Sequence, residues 1–123
     1  MFDPNQIKVS AFQYYARLGR IKQHIEQNPS DHMSLEEAAR IAGMEKKYFS
    51  AFFHQKVGVC FRHWLMWVRI NEAKRRMEAR NHSITQIAFI TGFMDLRTFE
   101  RAFKKCTGIT PRDFKRSVQN HES

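Results

Sequence analysis

The sequence predicts an all-α fold of about seven helices, with two copies of a small helical unit joined by a long linker helix. Two observations predict it. Apolar residues recur every three or four positions along most of the chain, and no stretch alternates apolar and polar residues as a half-buried strand does. Residues 34–44 are also echoed by residues 83–93, and a long fixed period indicates repeated copies of one structural unit.

The spacing of this repeat changes at a glycine. Gly92 follows Gly43 by 49 positions, whereas Phe99 follows Phe49 by 50. The second copy therefore carries one extra residue just after its glycine.

The composition favours a polyanionic partner. The 123 residues carry 21 Lys and Arg against 12 Asp and Glu, a formal net charge of +9. Such a charge favours nucleic acid first and an anionic membrane surface second. The hydrophobic fraction of 42% is enough for a packed core. Two cysteines, no signal peptide and no long apolar run predict free thiols and a cytoplasmic, nucleoid-associated protein.

The chain begins with an N-terminal extension over residues 1–15. Its aromatic run at residues 12–15 either packs as a staple before the first helix or makes a dimer contact. Asn28-Pro29 ends the first helix. The inner face of that helix is marked by Tyr14, Leu18, Ile21 and Ile25.

The first repeated unit completes a subdomain over residues 16–58. Ser34 and Glu37 form a capping box, and Gly43 supplies the positive φ of a sharp turn. A second helix follows over residues 45–57. Its inner face is predicted to contain Tyr48, Phe49, Phe52 and Phe53.

A linker helix over residues 59–79 carries apolar residues on both sides, as expected if it packs against both units. Trp64 and Trp67 belong to its core or semi-core. The second subdomain, residues 80–116, repeats the capping box with Ser83 and Gln86.

The second helix of that subdomain covers residues 95–106, with Phe99, Ala102 and Phe103 inward. Thr110 and Pro111 then begin a final short helix, and a tail over residues 117–123 frays.

Each unit is thus a short capped helix, a glycine turn and a second helix with a buried aromatic stripe, which is a helix-turn-helix. A generic helical hairpin is the alternative. The repeat, the basic charge and the open polar faces together favour a DNA-binding module.

The second unit carries the most specific motifs. They read Ser83-Ile84-x-x-Ile87-Ala88-x-x-x-Gly92-Phe93, Phe99-x-Arg101-x-Phe103-Lys104-Lys105 and Gly108-Ile109-Thr110-Pro111-x-x-Phe114-Lys115. With them the chain resembles the DNA-binding domain of AraC/XylS-family transcription regulators over about residues 16–116, most of all the short single-domain MarA-like members. The resemblance implies a regulator, more often an activator than a repressor.

Base-reading candidates lie on the outward faces of the two second helices, which enter the major groove in this motif. By helical period they are Lys46, Lys47, Ser50, Ala51, His54, Leu96, Arg97, Glu100 and Arg101. The resemblance implies all of these except Lys46 and His54, and it adds Thr98. Arg97 is the best candidate for a guanine edge, and Arg101 reads a base or clamps a phosphate. Glu100 pairs with Arg97, with Lys104 or with a base.

Two departures from the family pattern matter. Ala51 stands where many relatives carry a polar reader, which implies weak readout or contact with a thymine methyl. Glu45 and Met94 stand at the predicted N-cap positions, and neither caps a helix well.

Phosphate contacts are expected at helix N-termini and at basic side chains. The candidates are Ser34, Arg62, Arg69, Lys74, Arg75, Ser83, Lys104, Lys105, Thr110, Arg112, Lys115 and Arg116. We expect the recognition helices to lie about one turn of B-DNA apart, roughly 34 Å, in successive major grooves of one asymmetric site of double-stranded DNA.

Other functions find little support. Phe89 and Ile90 form either a partner surface, such as one for RNA polymerase, or a buried contact. Cys60 and His63 alone do not make a metal site. The sequence contains no catalytic motif, so we expect no enzyme activity, and it indicates no metal, no cofactor, no small-molecule effector and no membrane association.

Overall fold

The computed structural model describes residues 3–80 and 82–120, with the backbone alone at Asn120. These residues form eight α-helices and no strand, which confirms the all-α prediction. The chain divides into a first unit, Asp3–Leu65, and a second unit that begins at Met66. The helices are α1 (Ala11–Tyr14), α2 (Ala16–Gln27), α3 (Leu35–Ala42), α4 (Lys46–Val57), α5 (Phe61–Ala79), α6 (Ile84–Ile90), α7 (Leu96–Thr107) and α8 (Pro111–Asn120).

The helix that the prediction of about seven helices missed is α1, inside the expected N-terminal extension. Asp3 caps a 3-10 turn at Pro4–Gln6, and the buried side chains of Ala11 and Phe12 then fix α1 to the first unit. Phe12 stacks on Trp64 with ring centroids 4.8 Å apart, as a staple would. Residues 3–15 of the extension are therefore a packed part of the first unit, and residues 1–2 lie outside the described residues.

Tyr14 does not belong to the inner face of the first long helix, as the periodicity had suggested. Tyr15 is the N-cap of α2, so that helix starts at Ala16, two residues after Tyr14. Tyr14 is instead the last residue of α1, and 81% of its surface is exposed. Leu18, Ile21 and Ile25 are buried as predicted, and Asn28 caps the C-terminus of α2.

An aromatic cluster forms the core of the first unit. Phe53 is fully buried, and its ring centroid lies 5.8 Å from that of Phe49 and 5.5 Å from those of Phe61 and Trp64. Edge-on and tilted ring pairs of this kind stabilise the core beyond what the burial of apolar area alone contributes.

The prediction that Tyr48 lies on the inner face of α4 is wrong. Tyr48 is 65% exposed, because the buried stripe of the helix runs through Phe49, Phe53 and Val57 and Tyr48 lies about 100° away from Phe49. Phe52 is half-buried and meets Tyr15 edge-on at 5.5 Å.

The long helix α5 crosses the boundary between the two units. Trp64 is buried in the first unit and Trp67 is half-buried, as predicted. The helix starts at Phe61, two residues later than expected, and ends at Ala79 as expected.

The second unit has its own core, in which the ring of Phe99 lies 5.2 Å from Phe93 and 5.8 Å from Phe103. Phe114 of α8 closes this core 5.5 Å from Phe103. Its fully or largely buried members are Ile70, Ala73, Met77, Ile87, Ala88, Phe93, Phe99, Ala102 and Phe103.

The final helix begins as predicted and ends later. Thr110 Oγ1 accepts a hydrogen bond from the backbone N–H of Asp113 at 3.1 Å, and Pro111 occupies the first helical position. The tail predicted from residue 117 is helical as far as Asn120. Residues 121–123 of that tail lie outside the described residues.

Candidate nucleic-acid interface

The first helix-turn-helix is built by α3, a turn at Gly43 and α4. Ser34 Oγ accepts from the backbone N–H of Glu37 at 3.1 Å, the serine half of the predicted capping box. The reciprocal half is absent from this cap, where the Glu37 carboxylate instead lies 3.9 Å from Arg40. Gly43 has φ +70°, a left-handed conformation that ends α3 at little cost only for glycine.

Two arginines of α2 bind the carbonyl oxygens at the end of α3. Arg17 Nη1 donates to the carbonyls of Ala42 and Gly43 at 2.9 and 3.1 Å, and Arg20 Nε donates to that of Ile41 at 3.2 Å. The C-terminal carbonyls of a helix have no partners within it and carry partial negative charge, so guanidinium groups stabilise this end. These contacts were not predicted from the sequence, because nothing in the spacing of α2 identifies their acceptors.

A buried hydroxyl group stabilises the turn of the second helix-turn-helix. Thr91 is 1% exposed, and its Oγ1 donates to the carbonyls of Ile87 and Ala88 at 2.7 and 3.2 Å. Gly92 follows with φ +97°. The capping box is complete here, since Gln86 Oε1 also accepts from the Ser83 N–H at 2.8 Å. The turns of the two copies are therefore stabilised by different hydrogen bonds.

The outward face of α4 is exposed and polar. Lys47, Ser50, Ala51 and His54 are all exposed and border a shallow depression of about 590 Å³. Lys46 lies beside them, but its Nζ is 2.8 Å from Glu36 Oε1, a bond that lowers the pKa of the Glu36 carboxyl.

The start of α4 is uncapped as predicted. Glu45 is the N-cap residue and makes no side-chain capping bond. Tyr48, which was predicted to lie in the core, is exposed and adds an aromatic ring to the outward surface.

The outward face of α7 carries Arg97, Thr98, Glu100 and Arg101, all of them exposed. Leu96 differs from the prediction. It is half-buried and packs against the core of the second unit, to which Phe93, three residues earlier, also belongs.

The N-cap of α7 is Asp95 and not Met94, so the expected loose start of this helix is wrong. Asp95 Oδ1 accepts from the backbone N–H of Thr98 at 2.7 Å, and Oδ2 accepts from the Thr98 hydroxyl at 2.9 Å. These two bonds hold the pKa of the Asp95 carboxyl below its usual range. The Thr98 hydroxyl is thereby engaged in the cap, which leaves its methyl group and its remaining acceptor capacity for a partner.

Glu100 was predicted to pair with Arg97, with Lys104 or with a base. In the described part of the chain neither cation forms an ion pair with it. The third possibility stays a prediction.

Some of the phosphate candidates contact a neighbouring side chain, and others extend into solvent. Arg75 binds Glu72, which raises the pKa of the guanidinium and lowers that of the carboxyl. Arg116 lies 3.7 Å from Asp113. Arg69 and Lys74 each lie 5.9 Å from an aromatic centroid, those of Phe93 and Phe114.

The remaining cationic candidates lie on several elements of the two units. Lys115 is half-buried. The exposed candidates are Arg62, Lys104, Lys105 and Arg112. The hydroxyl groups of Ser34, Ser83 and Thr110 already accept from their own helices, so a phosphate at these positions would meet backbone N–H groups.

Other kinds of site find no support among the described residues. No group of three or more His, Cys, Asp or Glu side chains within residues 3–80 and 82–120 is placed to hold a metal ion. Across the same ranges, no helix combines the length and the apolar character that crossing a bilayer requires.

A family of sequences described as "Helix-turn-helix domain" matches residues 38–117. An uncharacterized HTH-type transcriptional regulator of Bacillus subtilis, YobQ, is 28% identical over 104 residues, which are 85% of this chain and 42% of that protein. The chain spans 13% of further curated relatives from Staphylococcus aureus, to which it is 30% identical. It thus covers less than half the length of these relatives.

Solved structures share the fold. An AraC-type regulator from Chromobacterium violaceum superposes with a TM-score of 0.77 at 22% identity, covering 86% of this chain and 95% of that one. The DNA-binding domain of AdpA, a global transcriptional factor solved in complex with a target DNA, gives 0.80 at 20% identity, covering 85% and 95%.

Proposed function

Because the chain belongs to the AraC-type family of helix-turn-helix transcription regulators, we propose that it binds double-stranded DNA at specific sequences through α4 and α7. The observation that carries this proposal is the duplicated unit. Each copy has a glycine of positive φ in the turn after its first helix and leaves a polar face of its second helix exposed. A solved AdpA domain of the same fold binds a target DNA, and that likeness supports the choice of partner.

The side chains on α7 favour stronger recognition of bases than those on α4. Arg97 is exposed in the first turn of the helix, where a recognition helix meets base edges, and a guanidinium matches guanine O6 and N7 with two parallel hydrogen bonds. Arg101, one turn later, reaches a second base or a phosphate. Asp95 fixes the start of the helix through Thr98, so both arginines project from an ordered backbone.

The face of α4 favours weaker readout. Lys47 and Ser50 supply donors, Ala51 offers only a methyl group to a thymine, and Lys46 is drawn toward Glu36. We therefore assign most of the sequence preference to the second unit. The first unit then adds phosphate contacts and a modest preference at its own half of the site.

The two units are proposed to dock in successive major grooves of one asymmetric site. A single chain carries two different reading helices about fifty residues apart, joined through α5. Because the two faces carry different side chains, the site they read has no need of two-fold symmetry. A binding-site selection from random duplexes that yields a palindrome would contradict this proposal.

A matched pair of variants tests the reading face. Arg97→Ala should weaken binding to the selected duplex by about 1–3 kcal/mol and relax the preference at one or two base pairs. Lys22→Ala, an exposed change on α2 outside the proposed interface, should leave both unchanged. Fluorescence anisotropy on the selected duplex and on single-base variants measures both quantities. An Arg97→Ala protein with unchanged affinity and preference would refute the assignment.

Salt dependence tests the phosphate contacts. If about six to eight cationic groups meet phosphates, log K should fall against log salt with a slope of roughly −5 to −7. Arg116→Ala should weaken all duplexes alike, because a phosphate contact carries no sequence information. Equal competition by unrelated duplex would instead favour an architectural, sequence-independent binder.

The exposed ring of Phe89 bears on transcriptional activation. Phe89 is 49% exposed at the C-terminal end of α6, and Ile90 beside it is half-buried. We propose that the chain acts as an activator in the cytoplasm, and that this apolar surface contacts RNA polymerase. Phe89→Ser should then reduce activation in a reporter assay without changing affinity for the duplex.

A further inference from the structure

The N-terminal segment builds a basic and aromatic surface on the first unit, away from the proposed reading face. Residues 8–15 and the last turn of α4 enclose an open depression of about 560 Å³. Its walls carry Tyr14, Tyr15, Lys8 and Lys56. Among the described residues that line the depression, none is acidic.

This surface is held in place by the fold. The backbone N–H of Lys8 donates to the carbonyl of Val57 at 2.7 Å, which ties the segment to the C-terminus of α4. Gly58 has φ +95°, and a Cβ there would collide with the carbonyl oxygen of Gln6, so glycine allows this close approach. The buried side of the segment carries Phe12, while Tyr14 on its other side is exposed.

The aromatic side chains and one lysine are arranged together. The Tyr15 ring lies edge-on to Tyr14 at 4.8 Å and to Phe52 at 5.5 Å. Lys56 Nζ lies 5.3 Å from the centroid of the Tyr15 ring, close enough for a cation–π contact. The ammonium group of the half-buried Lys56 therefore lies beside the Tyr15 ring at the edge of the depression.

We propose that this surface, the Lys8–Tyr14–Lys56 surface, binds an acidic segment of a partner protein, with carboxylates on the two lysines and apolar or aromatic side chains against Tyr14. Charge complementarity gives the sign of the partner, since two cations face the depression and no described acid lines it. An exposed tyrosine is a typical interface side chain, because its ring buries a large area at low entropic cost.

A protein partner fits better than the DNA backbone. At 100° per residue, Lys56 projects about 180° around α4 from Lys47 and about 120–160° from Ser50, Ala51 and His54. If α4 reads DNA with that face, the Lys8–Tyr14–Lys56 surface stays open in the complex. This last step rests on the proposed function, whereas binding of an acidic segment to the free protein does not.

A fluorescein-labelled peptide of glutamates with interspersed leucines is the probe, with a glutamine-for-glutamate peptide as control. Anisotropy should report a Kd on the order of 10–100 µM for the acidic peptide and much weaker binding of the control. The double variant Lys8→Gln/Lys56→Gln should weaken binding by about fivefold or more, and Tyr14→Ser should also weaken it. The matched change Lys22→Gln on α2 should not.

All four positions are exposed or half-buried, so the variants keep the fold, which circular dichroism checks. Equal affinity of the double variant and Lys22→Gln would overturn the proposal. Titration of the peptide into protein saturated with selected duplex is the second arm, and unchanged peptide affinity is the expected result. Displacement of the peptide by duplex, with the double variant losing DNA affinity, would assign the surface to DNA and overturn it as well. If no duplex binds with sequence preference, the proposed function fails while the peptide arm still stands.

Discussion

Truncation of Phe103 should unfold the second unit before the first. Phe103 is fully buried, with its ring centroid 5.8 Å from Phe99 and 5.5 Å from Phe114. Phe→Ala changes in cores cost about 3–5 kcal/mol, the lower end where neighbours move into the cavity. Phe114 is half-buried on the last helix and is able to move inward, so we expect a loss of about 3–4 kcal/mol.

That loss is comparable with the whole stability of the unit. A unit of about sixty residues has roughly 3–9 kcal/mol of stability at the usual 0.05–0.15 kcal/mol per residue. Phe103→Ala should therefore populate a state with the second unit open, while the aromatic cluster around Phe53 keeps the first unit folded. Phe103→Leu retains most of the buried volume, so we expect it to lose only about 1–2 kcal/mol.

Hydrogen exchange measured by mass spectrometry separates the two units. Peptides from residues 84–107 should lose protection in Phe103→Ala, and peptides from residues 35–57 should keep it. Urea unfolding followed by circular dichroism gives the total change. A loss below about 1 kcal/mol, or equal loss of protection in both units, would refute the reasoning that each unit has its own core.

Two further predictions concern the turns and the caps. Arg17→Met removes the Nη1 donor to the carbonyls of Ala42 and Gly43, while Arg20 Nη2 still donates to Ala42 at 3.4 Å. Exchange of the Met44 amide should accelerate, and total stability should fall by no more than about 1 kcal/mol. Lys22→Met is the control, and an unchanged Met44 rate would contradict the role of Arg17. The Asp95 cap should make stability depend on pH. Because its folded pKa is lowered, its contribution is present above the unfolded value and is lost as pH falls through the folded pKa. Asp95→Asn keeps a capping oxygen without the charge, so melting temperatures between pH 2.5 and 5 should vary less than in the parent protein, and identical profiles would refute the prediction.

Local patterns predicted much of this fold. The capping serines, the glycines and the 3.6-residue apolar period located α2 to α8 to within two residues at their starts, because each of these signals acts within one helix or one turn. The repeat added what a single motif lacks, since Phe53 and Phe103 occupy equivalent positions in two separate cores.

Errors arose where neighbouring positions on one helix compete for the core. Tyr48 lies next to the buried Phe49, and its amphipathic ring suits either side of a helix boundary, so the sequence alone did not decide its exposure. Met94 was taken for an N-cap because the extra residue in the second copy moves the helix start by one position, to Asp95.

The sequence by itself determined that the chain forms two helix-turn-helix units with a basic balance, because helical period, caps and charge are properties of short stretches and of composition. Tertiary structure alone decided which groups meet across long separations. Arg17 reaches the end of α3 some 25 residues away, and Lys8 meets the end of α4 across 49 residues. Contacts of this kind depend on how helices pack, and packing is set by the volume and shape of many side chains at once. No short stretch of the sequence contains that information.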